Sequence, residues 1–282
     1  LADSWSVSDD GLTWTFNLKQ GVKFHNGKEL TSADVKATYE RAMSAEAGGL
    51  RTTEIIKMFT AVEAPDTYTV TITTSEPYGP MEALMCNMSL GIIDADYIEQ
   101  YGLDLGYSVE GENGTGPYTL TEWVRDSSIT LTKFDGYFDD AAYIPTVQYV
   151  IIPEAASRVM ALESGEVDVI PNLTSDDVAT LGQNPDITIY KQPSVGQRLF
   201  RFGCDDPIMS NTLVRQAINY AIDRQAIIDA LFPGVAYAVT APLAPVTWGY
   251  TDLGEIKQDQ EKAKQLLAEA GYPDGFDTKI VT

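Results

Sequence analysis

Histidine is almost absent from this sequence: His25 is the single one in 282 residues, and cysteine occurs twice, at Cys86 and Cys204. One imidazole leaves no material for a histidine-based metal centre or a His-dependent catalytic triad. Two cysteines far apart form neither a disulfide framework nor a metal-spaced set, and their scarcity suits an exported protein. Cations are few as well: 19 lysines and arginines stand against 41 acidic residues, a net charge of −22. Nucleic-acid binding needs a basic stripe to displace counterions, and none is visible; an anionic membrane surface repels such a chain. The ordinary consequence of this charge is solubility. Long apolar runs are missing too: "AAYIP" and "VQYVIIP" fall far short of the ~18–20 residues of a membrane span.

What remains is the composition of a folded globular protein, 44% hydrophobic with 21% charged residues. The length exceeds one usual compact domain, so two cores are the default. The chain opens on alternating side chains, Trp5 and Val7, then Trp14, Phe16 and Leu18 after the turn Asp9-Asp10-Gly11, which predicts a strand pair. Asn26-Gly27 marks a turn. Thr31 or Ser32 can cap a helix with Asp34 in its first turn and Val35, Tyr39 and Met43 on one face. Ala45 to Gly49 reads as a loop. Two strands around Pro65-Asp66, carrying Val70 and Ile72, end at Pro77 and Pro80. "MEALMCNMSLGII" is a short apolar helix or turn, and "DADYIEQYG" is a capped helix stopped by Gly102.

"NGTGPYTLTEW", Asn113 to Trp123, raises the question of a phosphate-cradling loop. Such a loop needs a helix after its glycines and a Gly-Lys-Ser/Thr, and here Pro117 leads into a β-branched and aromatic run instead. It reads as a turn feeding a strand. Further strands are expected at 117–124, 128–134 and 146–152. A helix through "EAASRVMALESGEVDVI" follows, with Ala156, Val159, Met160 and Leu162 at core spacing and Gly165 at its end. Val167 to Ile170, "ITIYKQP" and "SVGQRLFRFGCDDP" also read as strands. Leu213, Val214, Ala217, Ile218 and Ala221 form one helical stripe, Asp223 caps a helix carrying Ile227, Ile228 and Leu231, and "DQEKAKQLLAEAG" is a helix with Ala263, Leu266, Leu267 and Ala270 inside. Chain crossings at Gly106 to Gly116 and after Pro193 divide the sequence into residues 1–112, 113–192 and 193–282. Strands and helices with long crossings describe an α/β or α+β protein of more than one lobe.

Five blocks occur in order: "LADSWSVSDDGLTWTFNLKQGVKFHNGKELTSADV", "GTGPYTLTEW", "IIPEAASRVMALESGEVDVI", "VRQAINYAIDRQAII" and "EKAKQLLAEAGYPDGF". Together they resemble the family 5 extracellular solute-binding proteins of ABC transporters, the dipeptide- and oligopeptide-binding group, over essentially the whole chain. "PVTWGY" looks most like the dipeptide-binding branch. The resemblance implies an α/β fold of the periplasmic binding protein type (type II), with mixed sheets, flanking helices and an extra inserted domain. Residues 1–112 would be the inserted smaller domain, 113–192 part of the first binding lobe and 193–282 the start of the second. Gly114 and Gly116 would supply backbone freedom where the chain re-enters the large lobe. It further implies a fragment: family members carry an exported leader, often a lipidated cysteine, earlier strands, and a longer second lobe holding the residues that meet a peptide's termini.

The implied function is capture of a small peptide between lobes and delivery to permease subunits, outside the cytoplasm, by a monomer that needs no cofactor. Nickel chelate, opine, glutathione and oligosaccharide are the other ligand classes, the nickel class being disfavoured by the lone histidine. A carboxylate-based hydrolase and a ligand-sensing module of a regulator are the rival classes. Against the first, the paired acids Asp9-Asp10, Asp139-Asp140, Asp176-Asp177 and Asp205-Asp206 read as turn and cap residues. His25 reads as structural or solvated.

Six residues are the candidate ligand contacts. Tyr78 lies at a strand end where relatives approach the ligand, and Met81, with Met85, can line a tolerant apolar wall. Trp248 and Tyr250, in a Pro-rich loop, either stack on a ligand or cover a core. Arg198 and Arg201 follow the second crossing, where a guanidinium either clamps a ligand carboxylate or pairs with a surface acid. On a regular strand Arg201 shares a face with Gln197 and Leu199, and Arg198 shares the other with Phe200. Assigning Phe200 and Phe202 to a core puts Arg201 and Gln197 on the cleft side.

Overall fold

The structure, a computed structural model, describes residues 1–44 and 54–279; the loop expected at 45–49 lies outside them. Two compact units divide the chain, Leu1–Pro153 and Glu154–Thr282.

The first unit is built on an antiparallel sheet in the order β1-β2-β4-β3, with β1 Ala2–Val7, β2 Thr13–Leu18, β3 Phe59–Asp66 and β4 Thr69–Thr74. Period-two alternation decides its buried face: Trp14, Phe16 and Leu18 of β2 and Val70 and Ile72 of β4 are buried, together with Phe59 and Val62 of β3. Register pairs Trp14 with Ile72 and Phe16 with Val70, so the large side chains meet across strands. The turn between β3 and β4 falls at Thr67-Tyr68, two residues beyond the Pro65-Asp66 expected, and Pro65 sits inside the edge strand β3, where its missing N–H is tolerated.

Helix α1, Ser32–Met43, covers this face with Val35, Tyr39 and Ala42. Its start is the one the sequence indicates: Asp34 reaches back to accept from the Thr31 N–H at 2.9 Å. The Tyr39 ring meets Phe59 edge-on at 5.9 Å, and its hydroxyl donates to the Leu90 carbonyl at 3.3 Å. Burial raises that hydroxyl well above its ordinary value. At the other edge, Trp5 and Val7 pair with Phe16 and Trp14 and share the core face, yet each stays 47% exposed.

Short helices α2 (Met81–Met85) and α3 (Ala95–Tyr101) follow, the latter ended by Gly102 at φ +52°. After the Gly106–Gly116 loop a second antiparallel sheet runs β5-β6-β7: Tyr118–Val124, Ser128–Lys133 and Thr146–Val150. A strand, not a helix, therefore follows "NGTGP", which removes the phosphate-loop reading. Gly114 and Gly116 are absent from the positive-φ glycines, so left-handed freedom is not what they provide. A Cβ at Gly114 would instead touch the His25 ring, at 3.4 Å.

The second unit carries α4 (Ala155–Glu163), α5 (Ser175–Leu181), α6 (Thr212–Ala221), α7 (Arg224–Leu231) and α8 (Gln260–Glu269). Helix α6 packs on α8, burying Val214 and Ala217 against Ala263 and Leu266. In α4 the buried position is Ala161, while Met160, expected inside, is 61% exposed; on α7 Ile227 and Leu231 are likewise exposed. No strand follows Val150 among the described residues, so Val167 to Ile170, "ITIYKQP" and "SVGQRLFRF" are not strands here. Alternation makes a strand only where a neighbour supplies a hydrogen-bond ladder, and these segments have none among the described residues.

Cys86 and Cys204 are both free and exposed, one in each unit. Titration of the native protein with an aromatic disulfide reagent is expected to return two reactive thiols per chain. A Cys86–Cys204 disulfide in a non-reducing peptide map would overturn this.

Candidate ligand-binding site

Four of the six candidate contacts lie in the second unit. The Gln197 side-chain amide donates to the Ala241 carbonyl at 3.4 Å. One residue away, the Thr240 hydroxyl lies 3.3 Å from the Tyr250 hydroxyl and also donates to the Asp252 carboxylate. Segment 194–202 is thereby held to loop 240–252, with Gln197 and Tyr250 anchored on consecutive residues. The Thr240 hydroxyl, and after it the Gly254 N–H at 2.9 Å, keep the Asp252 carboxyl below its ordinary value. Beside them Ala241, Pro242, Leu243, Gly249, Thr251 and Leu253 line a shallow apolar concavity of about 180 Å³.

Trp248 stands 95% exposed on this loop. It covers no core, whereas Tyr250 is half-buried. Arg201 is exposed and makes no ion pair among the described residues. Arg198 places its guanidinium over the Phe232 ring, 5.2 Å from the centroid, so its partner is aromatic. Phe200, expected in a core, is 57% exposed. Without a ladder, alternation does not assign the two arginines to opposite faces; their surroundings differ because Arg198 lies over Phe232 and Arg201 does not.

Tyr78 and Met81 belong to the first unit. Tyr78 is half-buried against its core, and Met81 is fully buried within it, with no exposed surface in this structure. Sequence reasoning did not single out Thr240 or Asp252. The available signal was Asp252 two residues before Gly254, the spacing of an Asx turn.

The acid pairs serve local structure. Asp10 accepts from the Ser8 hydroxyl and Leu12 N–H, Asp177 closes a capping box with Thr174, and Asp206 accepts from Ile208 and Met209 N–H. The Ser8 and Thr174 hydroxyls respectively hold Asp10 and Asp177 below the ordinary carboxylate value. Among the described residues no group of three or more His, Cys, Asp or Glu side chains could hold a metal ion.

A buried polar cluster in the first unit was only partly legible. Lys28 donates to Asp34, Asp94 and Asp96, using all three of its N–H groups on three carboxylates. Burial by itself lowers the Lys28 ammonium, but the bonds to Asp94, Asp96 and Asp34 outweigh it, so the amine is held well above its ordinary value. For Asp34, burial opposes ionisation and is outweighed by the Ala95 and Thr31 N–H groups and by Lys28, so its carboxyl is held low. Asp94 caps α3 through the Asp96 N–H and accepts from the amides of Asn26 and Asn113. His25 clamps the glycine turn: its Nδ1 accepts from the Gly114 N–H at 3.2 Å, which leaves Nε2 to donate to the Gly116 carbonyl at 3.0 Å. The lone histidine is structural.

A first unit of two antiparallel sheets with covering helices, followed by a second unit of helices and long loops, matches the fold of solute-binding proteins. Residues 1–282 match the family described as bacterial extracellular solute-binding proteins, family 5 Middle, and the chain belongs to that family. It is 32% identical over 281 residues to the glutathione-binding protein GsiB of Salmonella typhimurium, with 99% of this chain and 54% of GsiB covered. Its fold is similar to that of the periplasmic binding protein DppA from Helicobacter pylori in complex with peptide STSA. The TM-score is 0.80 and the identity 30%, over 98% of this chain and 57% of that one. It is also similar to AgaA from A. tumefaciens in complex with agropinic acid, at TM-score 0.77 and 33% identity over 98% of this chain and 56% of that one. The chain spans about half the length of the curated relatives it matches. No described helix is long and apolar enough to cross a membrane.

Proposed function

We propose that this chain is the recognition part of a solute-binding protein, not an enzyme, that captures small di- or oligopeptides outside the cytoplasm. In this reading it acts as a monomer, in the periplasm or as a surface lipoprotein, and delivers the peptide to the permease subunits of an ABC importer. The observation that carries the reading is the family match over residues 1–282, joined to the fold shared with peptide-loaded DppA. Residues 1–112 act as the inserted domain, 113–192 as part of one binding lobe and 193–282 as part of the other.

In the second unit ligand contact falls to Gln197, Arg201, Trp248 and Tyr250; in the first unit Tyr78 is a separate candidate contact, whereas Met81, fully buried, supports the core. Trp248 offers an exposed ring for stacking, Tyr250 and Gln197 are polar groups already anchored on neighbouring residues, and Arg201 is a guanidinium without an ion-pair partner among the described residues. These groups suit a ligand with an apolar body and a carboxylate. A second reading, glutathione as the peptide-like solute, is favoured by the 32% identity to GsiB.

Calorimetry on the whole protein separates them. Binding of tetrapeptides with a free carboxyl terminus at micromolar affinity or tighter, with glutathione much weaker, supports the peptide reading. Tight binding of glutathione alone replaces it with the second. No heat from either ligand rejects both.

A further inference from the structure

Asn-Gly occurs twice in the chain, at Asn26-Gly27 and Asn113-Gly114. The fold brings both side-chain amides to a single oxygen, Oδ2 of Asp94, at 3.0 and 2.8 Å. We propose that this convergence is a guarded deamidation site: the closed clamp holds both asparagines unreactive, and opening it lets Asn113 convert irreversibly, so that the glycine turn cannot re-form.

Deamidation requires the glycine nitrogen to attack the asparagine Cγ. The new C–N bond closes a succinimide, the Cγ–Nδ2 bond breaks, and the amide leaves as ammonia with the proton released by the glycine nitrogen. Water then opens the ring at either carbonyl, leaving aspartate or isoaspartate, with no change of oxidation state. In the fold both reacting groups are engaged. The Gly114 N–H is held by His25 Nδ1 at 3.2 Å, and Asn113 Oδ1 accepts from the Asn26 N–H at 3.1 Å. The Gly27 N–H is held by the Phe24 carbonyl at 2.8 Å, and Asn26 Oδ1 accepts from the Lys28 N–H at 2.9 Å. Asn113 is also 8% exposed, which restricts the water that ring opening consumes. Reaction therefore waits on local opening.

The product cannot return to the same place. At position 113 an amide donor becomes a carboxylate facing Asp94 Oδ2, while the Lys28 ammonium is already shared among three acids. Like charges at hydrogen-bond distance repel strongly in a site this buried. Isoaspartate also adds a backbone methylene between residues 113 and 114, which moves the Gly114 N–H off His25.

The test ages the whole chain at mildly alkaline pH, folded and in urea at the same pH, and follows both sites by peptide mapping and enzymatic isoaspartate methylation. Conversion at Asn113 is expected to be slower in the folded chain by about tenfold or more, and His25→Ala should raise the folded rate at Asn113. The Asn113→Asp variant should melt several degrees below wild type, while Asn172→Asp, outside the cluster, should not. Equal Asn113 rates in folded and urea-treated chain would overturn the guarding. An aged, converted fraction that melts with the unconverted protein would overturn the one-way consequence, and this second readout needs no variant to fold.

Discussion

Lys28→Met is expected to destabilise the first unit by about 3 kcal/mol or more, the lower end of the cost of stripping the partner from buried charges. The side chains of Asp34 and Asp94 are 1% and 0% exposed, and Lys28 is the cation that each of them touches. Removing it leaves two carboxylates close together with only neutral donors, so desolvation is no longer offset. Lys28 itself is 31% exposed, which keeps the expectation at the lower end of the range. A urea melt of the whole chain followed by circular dichroism should show the midpoint fall by about 1 M or more. Lys36→Ala supplies the contrast: its 3.7 Å pair with Glu40 is exposed and spaced i,i+4, and its loss should cost no more than about 0.5 kcal/mol. Equal midpoints for the two variants would mean that the cluster carries no special stability.

The pH dependence of the same cluster has a defined sign. Asp34 is held below its ordinary value, so its contribution is present above about pH 3.9 and is lost as pH falls through the lowered folded value. Lys28 is held above its ordinary value, so its contribution is full below about pH 10.4 and is lost as pH rises through the raised one. The gap between wild type and Lys28→Met should be widest between these limits and narrow on both sides.

Arg201→Ala, made in the whole protein, is expected to weaken binding of a peptide with a free carboxyl terminus by about 1.5–3 kcal/mol, roughly 10- to 150-fold. The expectation rests on the proposed peptide reading and on the difference between two neighbouring arginines. Arg198 spends its guanidinium on the Phe232 ring, so Arg198→Ala should change affinity little. A carboxyl-amidated peptide should bind Arg201→Ala and wild type alike, because the charge-assisted bond is absent from both. Unchanged affinity of Arg201→Ala for the free-acid peptide would remove Arg201 from the ligand contacts and leave the family assignment standing.

Local chemistry made much of the first unit legible. Trp14, Phe16 and Leu18 alternate because a strand repeats every two residues, and Thr31 with Asp34 starts α1 because a carboxylate three residues in can reach back to the cap N–H. The turn at "NGTGP" was readable because Pro117 and β-branched residues cannot continue a phosphate-binding helix. The ordered blocks carried the family, since they recur in order along the chain from β1 to α8.

Pairing and convergence over distance were decided only in three dimensions. Alternation through "SVGQRLFRF" predicted a strand, but a strand exists only with a partner ladder, and none forms among the described residues, so Phe200 lies exposed and Arg198 turns to Phe232. Met160 has a helical spacing suited to a core, yet Ala161 is the residue that α4 buries, because the neighbouring elements choose which face is covered. The sequence by itself determined β1, β2, the second sheet and the capped starts of α1, α7 and α8, since those depend on residue types and short spacings. Only the tertiary structure could bring Lys28, Asp34, Asp94 and Asn113 together, or tie Gln197 to Ala241 beside Tyr250. Apart from Lys28–Asp34, these contacts join residues 10 to 66 positions apart, and no local periodicity encodes them.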